Sequence, residues 1–313
     1  SSSTKAPAPA PSTPSAFKIS PVRTDLSLDP GTSKTITVYV QNIQPVAVAV
    51  RVSISDFEPS HDESGKPEVL LDDTKYAESH SLKRLASATP STLTLQPNQN
   101  SSVLVTVTAP KTALAGGYYG AVRFLPTSDK SPDGSGLSLS TNVGSLILLK
   151  VNGEIKEKMT LASLDVRQKE DKFQTFFTKP NNIMAVARFT NEGNVQEEPF
   201  GKVQLYKGKK LIQEVEINNT NPRGNVLPDS TRRFDAQLDK VGKFGKYTVK
   251  GNFGWGSGQT LSSSVTFWVV PVPYIIAAIS LVALLILAII FIPLMLRSYN
   301  RRILAKAGRG RRY

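Results

Sequence analysis

Near its C-terminus the chain carries a long, uninterrupted run of apolar residues. Residues 274–296, YIIAAISLVALLILAIIFIPLML, contain no charged side chain. At about 1.5 Å per residue, a helix over this run spans roughly 34 Å, enough to cross a hydrocarbon core of about 30 Å. A buried helix of a soluble domain is the alternative, but a soluble helix of that length normally carries a polar stripe. The run therefore predicts a transmembrane α-helix over residues 274–296.

The flanks of this helix predict its orientation. Residues 251–273 carry no charge, whereas the tail 297–313 carries seven Lys or Arg residues and no acidic residue. Because basic flanks stay on the cytoplasmic side, we expect a single-pass protein of the cell membrane with an extracellular N-terminus and a cytoplasmic C-terminus. The side chains predicted to lie at the two membrane interfaces, in contact with membrane lipid, are Trp268, Tyr274, Arg297, Arg301 and Arg302.

The distribution of charge argues against binding to nucleic acid. The chain of 313 residues has a net charge of +13, and seven of those units lie in the tail 297–313. The excess is therefore local to the tail, whereas a nucleic-acid-binding protein places it on a basic face. We expect no nucleic acid among the partners.

The residue types present exclude several kinds of site. There is no cysteine, which excludes a disulfide framework, a thiolate metal site and a Cys nucleophile, and the two histidines, His61 and His80, cannot form a three-His metal site. No phosphate-binding loop, nucleophile elbow or zinc-protease motif occurs. A Ser-His-Asp set could be assembled around these histidines, but such residues are common in any exposed loop. We predict no enzyme, no catalytic residue, no metal and no cofactor.

Between residues 17 and 270, alternation of apolar and polar residues dominates. Ile36, Val38 and Val40 alternate with polar residues, and the stretches 46–55 and 103–107 repeat the pattern. A period of two indicates half-buried antiparallel strands, and Gly- and Pro-containing turns separate them. The predicted fold is mainly β: two tandem Ig-like β-sandwich domains followed by one C-terminal transmembrane α-helix.

A weak internal repeat divides the β region in two. A strand ending at Asn42, then Leu95-Gln96-Pro97, then Gly117-Tyr118-Tyr119 is matched by a strand ending at Asn191, then Leu227-Pro228, then Gly245-Lys246-Tyr247. Two copies of one sandwich would produce this order. Since the chain begins without Met or an apolar segment, we also expect a processed N-terminus. The predicted parts are a Ser/Pro/Ala-rich disordered spacer 1–16, domain one 17–153, domain two 157–270, the helix 274–296 and the basic tail 297–313.

Domain one contains an additional acidic stretch at residues 56–90, where the alternation stops. We interpret this stretch as an inserted loop that takes no part in the core, so that its removal would leave a folded domain. Its acidic spacing matches no EF-hand pattern. Long loops often carry function, and aromatic rings can stack on sugars or pack against a partner. The candidate partner-binding residues are Asp62, Glu63, Tyr118, Tyr119 and Trp255.

Several motifs resemble the WxL protein-interacting family of Gram-positive cell-surface proteins. In domain one they are Ile19-Ser20-Pro21-Val22, Asp29-Pro30-Gly31 and the run Val38 to Asn42, with Leu95-Gln96-Pro97 and Gly117 to Gly120; in domain two they are Phe189 to Val195 and Asn225 to Pro228. The resemblance implies two Ig-like domains, the first associated with peptidoglycan and the second with partner or host surfaces. Other bacterial Ig-like domains, including pilus chaperones, share these turn motifs.

The function predicted from the sequence is therefore that of a membrane-anchored bacterial cell-surface scaffold or adhesion protein. Its Ig-like domains would bind cell-wall polymer or another surface protein, such as a WxL-type protein. The alternative is a pilus- or secretion-type assembly chaperone or accessory protein that acts by strand addition.

Overall fold

The computed structural model describes residues 17–127, 143–168, 172–256 and 258–307. The predicted spacer 1–16 and the last six residues lie outside this range, and the side chains of 301–307 are not described. The described chain is mainly β, with strands over most of its length and a single helix at the end. This is the fold class that the sequence predicts.

Domain one is a sandwich of two sheets. Its strands are β1 (Phe17–Ser20), β2 (Arg23–Leu28), β3 (Ser33–Asn42), β4 (Val48–Pro59), β5 (Pro67–Val69), β6 (Ala86–Thr89), β7 (Thr92–Leu95), β8 (Asn100–Thr108), β9 (Gly116–Pro126) and β10 (Val143–Val151). One sheet has the order β1-β3-β8-β6, and the other has the order β2-β10-β9-β4-β5, with β7 also pairing with β4. The β2–β10 pair is parallel.

Domain two repeats the sandwich with eight strands. They are β11 (Met159–Gln168), β12 (Phe176–Phe177), β13 (Ile183–Asn191), β14 (Phe200–Lys207), β15 (Lys210–Ile217), β16 (Ser230–Gln237), β17 (Gly245–Trp255) and β18 (Gln259–Val269). The sheets have the orders β11-β13-β16 and β12-β18-β17-β14-β15. Each domain has a hydrophobic core of its own, because the inward-facing residues of its two sheets pack against each other.

Alternation along the strands explains the cores. On β3, Val38 and Val40 are fully buried while Tyr39 between them is 49% exposed. On the paired strand β8, Val103, Val105 and Val107 are fully buried and Leu104 faces outward. Successive side chains of a strand point to opposite faces, so this sequence pattern places one face of the sheet in the core.

The insertion 56–90 differs from the predicted loop. Residues 56–59 continue β4, residues 67–69 form β5 and residues 86–89 form β6. Leu82 is completely buried and belongs to the core of domain one. The buried carboxylate of Asp56 accepts hydrogen bonds from the Ala77 and Lys83 backbone N–H groups at 2.9 and 2.8 Å and from Ser81 Oγ at 2.6 Å. The insertion is therefore part of the folded domain, held by polar contacts that alternation cannot reveal.

The internal repeat has a physical counterpart in two buried asparagines. Asn42 Nδ2 donates to the carbonyls of Val46 and Leu95 at 2.8 and 3.0 Å, and its Oδ1 accepts from Gln44 N–H at 2.9 Å. Asn191 makes the same three bonds. Its Nδ2 donates to Val195 and Val226 at 2.7 and 2.9 Å, and its Oδ1 accepts from Gly193 N–H at 2.8 Å. Each asparagine side chain thus connects the end of one strand to the segment that precedes another strand.

The tyrosine part of the repeat is aligned one residue differently from the prediction. Gly116 and Gly245 have matching φ values of 139° and 137°, and the tyrosine two residues later is buried in each domain. Tyr118 donates its hydroxyl to the Leu114 carbonyl at 3.0 Å, and the Tyr247 hydroxyl accepts from Gly242 N–H at 3.0 Å. Gly116, rather than Gly117, is thus the counterpart of Gly245.

A single described helix, α1 (Val272–Ala307), follows domain two. Its part Val272–Arg297 is long and apolar enough to cross a membrane, and none of that part is buried against the protein. The helix thus begins two residues before the predicted span and continues into the predicted tail. Of the predicted interface residues, Trp268 and Tyr274 are 45% and 61% exposed beside the helix start, and Arg297 is exposed on the helix. A single apolar helix of this length fits single-pass anchoring in a membrane.

Candidate functional site

A cleft of about 670 Å³ lies between the insertion of domain one and domain two. The insertion contributes the segments 57–61 and 77–80 with Glu63, and β9 contributes Gly117 and Tyr119. The opposite wall consists of Gly193, Asn194 and the segment 227–231 of domain two. The structure thus brings together Glu63 and Tyr119, two of the predicted site residues, with both histidines. We call this space the interdomain cleft.

Glu63 closes one end of the interdomain cleft by binding domain two. Its carboxylate accepts a hydrogen bond from Arg188 Nε at 2.7 Å and a second from Arg188 Nη2. Its backbone carbonyl also accepts from the N–H of Arg233 on edge strand β16, at 2.9 Å. The Arg188 guanidinium lowers the pKa of the Glu63 carboxyl. This carboxylate therefore joins the two domains and is not free for a partner.

Gly65 lets the insertion approach β16 this closely. Its φ is +73°, in the left-handed region that glycine occupies without strain. A Cβ at this position would overlap the guanidinium of Arg232. The tight turn after Glu63 therefore requires glycine both for its backbone conformation and for space.

Further contacts fix the junction on the other side of the interdomain cleft. Gly117 N–H donates to the Asn194 carbonyl at 2.8 Å, and the Tyr119 hydroxyl donates to Gln196 Oε1 at 3.0 Å. Desolvation raises the pKa of the Tyr119 hydroxyl above its ordinary value, so this group stays a neutral donor. Arg23 of β2 donates to Glu198 at 3.0 Å. The angle between the domains is thus held by backbone and side-chain bonds at several points.

The wall of the interdomain cleft carries negative charge. Glu58, Glu78 and Asp229 line it with exposed side chains, and none of the three forms an ion pair with any described residue. No Lys or Arg is among the lining residues of the described chain. Three unpaired carboxylates in one cleft attract cations and repel anions. The cleft is therefore suited to a positively charged ligand group.

Other acidic residues of the insertion are occupied locally. Asp62 accepts from Ser60 Oγ at 2.7 Å and from Ser64 N–H at 2.9 Å, and these bonds lower the pKa of its carboxyl. Asp73 accepts from Arg51 Nη1 at 2.7 Å. Within the ranges that the structure describes, no three His, Asp or Glu side chains are placed to share a metal ion. Asp62 orders its own turn beside the cleft without lining it.

The two remaining predicted site residues lie in the cores. Tyr118 is 6% exposed, and its ring lies 4.9 Å from that of His80. Trp255 is also 6% exposed and belongs to the core of domain two. Burial leaves neither ring a free face for stacking on a sugar, because both fall on the inward positions of their strands. Large aromatic residues in strands more often fill the core.

Glu197 is a site residue that the sequence did not indicate. It lies at the junction, beside Asp25, Lys150 and Glu157 around a pocket of about 310 Å³, and it is only 6% exposed. Desolvation by burial is the main cause that raises the pKa of the Glu197 carboxyl to about 7, and the negative charge of Glu157 adds to it. A single Glu next to a strand-like stretch carries no signal of such burial in the sequence.

We expect Glu197→Gln to stabilise the protein in alkaline solution. In the native state the Glu197 carboxyl stays protonated up to a pKa of about 7, whereas in the unfolded state it ionises above its ordinary pKa of about 4.5. The free energy of unfolding of the wild type therefore falls as the pH rises from about 4.5 through 7. The amide mimics the neutral carboxyl, so the gain in free energy of unfolding should rise from near zero at pH 4 to about 3 kcal/mol at pH 8. Urea unfolding at both pH values measures it. Glu154→Gln, at an exposed position, is the control, and an equal gain at pH 4 would contradict the explanation.

Comparisons with known proteins give fold-level likenesses only. No family model matches the chain, and no curated protein matches it. The chain is similar to a chaperone–tip adhesin complex of CFA/I fimbriae biogenesis at 14% identity, covering 79% of this chain and 98% of that one, with a TM-score of 0.39. It is also similar to the class 5 fimbriae chaperone CfaA at 16% identity, covering 82% and 100%, with a TM-score of 0.35. The Salmonella enterica SafA pilin–SafB chaperone complex matches at 13% identity, covering 83% and 98%, with a TM-score of 0.37.

Proposed function

We propose that this protein is a membrane-anchored binding protein of the bacterial cell surface whose ligand is another protein. The observation that carries the proposal is the interdomain cleft with its three unpaired carboxylates, Glu58, Glu78 and Asp229. A chain segment of a partner, bearing Lys or Arg side chains, matches this charge. The orientation predicted from the basic tail would place the cleft outside the cell.

The rigidity of the junction supports a binding role for the interdomain cleft. The Glu63–Arg188 pair and the Gly117–Asn194 bond hold its walls in place before a ligand arrives. A preformed cleft binds more tightly because less ordering is required on association. A protein segment in such a cleft would contact both domains at once, as a scaffold or accessory protein requires.

The negative charge of the interdomain cleft also distinguishes between wall polymer and protein as ligands. Anionic wall polymers would be repelled by the carboxylates, whereas a basic protein segment would be attracted. We propose a basic segment of a WxL-type surface protein, which the sequence resemblance implies, as the partner that the lysine peptide below represents. Binding of wall polymer becomes an outcome that the experiment can reveal.

Charge reversal tests the proposal on the full chain in phosphatidylcholine nanodiscs. The probe is a fluorescent, end-blocked peptide of alternating Lys and Ser, and the matched peptide has Gln for Lys. We expect Glu58→Lys, Glu78→Lys and Asp229→Lys together to weaken binding of the lysine peptide by at least about tenfold. Fluorescence anisotropy measures the affinity of the wild type and of the variant for each peptide.

The control variant reverses three exposed carboxylates outside the interdomain cleft, Glu68→Lys, Glu154→Lys and Glu216→Lys. It has the same net charge as the cleft variant and should keep the affinity for the lysine peptide. If both variants lose affinity equally, the attraction is general and the cleft is not the site. Tight binding of poly(glycerol phosphate) that the charge reversal does not change would favour wall polymer as the ligand.

A second candidate function, strand addition as in an assembly chaperone, rests on an open sheet edge. On β3, the strand β1 pairs with Tyr39–Asn42 only, and no described strand pairs with residues 33–38 on that side. An extended segment of a client could form backbone hydrogen bonds there. A neutral peptide of alternating Val and Thr that binds equally to wild type and to the cleft variant would favour this function over the first.

A further inference from the structure

One end of domain two lies against the start of the membrane helix. Strand β18 ends at Val269 and α1 begins at Val272, and the start of β17, Gly245, pairs with Val269. Three loops share this end: 178–182 after β12, 207–210 between β14 and β15, and 238–246 before and into β17. We call these loops, with the exposed rings beside them, the basal surface.

The basal surface is strongly basic. Its three loops contain seven lysines, all exposed, and Asp239 is the one acidic residue within them. The lysines include Lys207, whose Nζ donates to the Phe244 carbonyl at 3.1 Å, and Lys246, whose Nζ lies 5.8 Å from the centre of the Trp268 ring. So many like charges on one surface repel one another. An anionic surface opposite them relieves that repulsion.

Exposed aromatic rings lie among these charges. Phe244 is 51% exposed, and its ring centre lies 5.5 Å from that of Tyr274 in the first turn of α1. Trp268 is 45% exposed, and Phe176, which pairs with it across the sheet, is 47% exposed. Aromatic rings beside lysines at the entry of a membrane helix are typical of the lipid headgroup region.

We propose that the basal surface binds anionic lipid headgroups of the membrane that α1 spans. The contact between Phe244 and Tyr274 places the lysine loops beside the helix start, so the nearest anionic surface is the membrane itself. Lysines within about one Debye length of roughly 8 Å feel the charge of the headgroups. The domain is then attached twice, by the helix and by its own base, and it stands on the membrane in a defined orientation.

A label at the base of domain two tests this contact in the full chain. Because the chain has no cysteine, Asn181→Cys can carry a single environment-sensitive fluorophore on the loop 178–182. The protein is placed in nanodiscs of phosphatidylcholine alone or with about one-third phosphatidylglycerol, each containing spin-labelled quencher lipid. We expect quenching to be about twofold stronger with phosphatidylglycerol and to fall with added salt.

A far-end label and matched variants complete the experiment. Gln259→Cys, at the opposite end of β18, should show little quenching in either lipid. Together, Lys179→Glu, Lys209→Glu and Lys243→Glu, at three exposed positions, should remove the effect of phosphatidylglycerol. The same charge reversal at Lys18, Lys34 and Lys111 in domain one should leave the effect of phosphatidylglycerol unchanged.

Two results would overturn the proposal. Quenching of the Asn181 label that is equal in the two lipids, and unchanged by the basal reversal, would mean that the helix alone holds the domain near the membrane. Binding of poly(glycerol phosphate) through the basal lysines, with no response to phosphatidylglycerol, would assign the surface to a wall polymer instead. A urea-unfolding midpoint close to that of the wild type confirms folding of each variant.

Discussion

Leu82→Ala should lower the free energy of unfolding by about 3 kcal/mol, although Leu82 lies in what the sequence presents as a surface loop. The side chain is completely buried in the core of domain one. Its removal loses the transfer free energy of the buried methyl groups and leaves a cavity. Thermal or urea unfolding of the full chain in nanodiscs measures the change, and the midpoint temperature should fall by roughly 5–10 °C.

Leu71→Ala is the matched control, because Leu71 lies in the same insertion and is 57% exposed. It should change the free energy of unfolding by less than about 0.5 kcal/mol. Replacing residues 58–88 with a Gly/Ser linker should destabilise domain one more than Leu82→Ala does, since the hydrogen bonds to Asp56 are lost as well. If Leu82→Ala were as harmless as Leu71→Ala, the insertion would be the dispensable loop that the sequence predicts.

Asn191→Ala should destabilise domain two by about 3 kcal/mol, because it removes three buried hydrogen bonds and leaves two backbone groups without the partner that Asn191 supplies. These groups are the carbonyl of Val195 and the N–H of Gly193, whereas the Val226 carbonyl keeps its bond from Glu197 N–H at 3.0 Å. Asn42→Ala should have a comparable effect on domain one, where the same three bonds occur. The two variants are therefore independent tests of one structural element.

Urea unfolding of both variants measures the effect, and Asn219→Ala, at an exposed position, is the control. The control should change the free energy of unfolding by less than about 0.5 kcal/mol. A loss below about 1 kcal/mol for both buried asparagines would mean that water or backbone shifts satisfy the freed groups.

The strands and the helix could be predicted because their signals are local and periodic. The alternation around Val38 and Val103 places one face of each strand inward, and the charge-free run 274–296 leaves few alternatives to a membrane helix. The repeat was visible because Asn42 and Asn191 end equivalent strands. The predicted repeat aligns Gly117 with Gly245, one residue away from the true counterpart Gly116, because only the φ value of Gly116 distinguishes it from Gly117.

The candidate site could be predicted only in part, because its properties depend on contacts between distant residues. Glu63 stands out as acidic in the sequence, but its partner Arg188 lies 125 positions away. The burial of Glu197 likewise depends on how the two domains meet. Leu82 is one apolar residue in a polar stretch, and the hydrogen bonds of its neighbours Ser81 and Lys83 to the distant Asp56 help to hold that stretch against the core.

The junction between the domains determines how the protein would carry mechanical load. A partner that pulls on domain one while α1 anchors domain two would strain Glu63–Arg188, Gly117–Asn194 and Arg23–Glu198 together. Bonds that share a force in parallel resist it better than bonds broken one after another. The connector after β10 is also fastened, because Lys156 N–H donates to Asn194 Oδ1 at 2.8 Å. The two domains would therefore transmit tension to the membrane without a change in the angle between them.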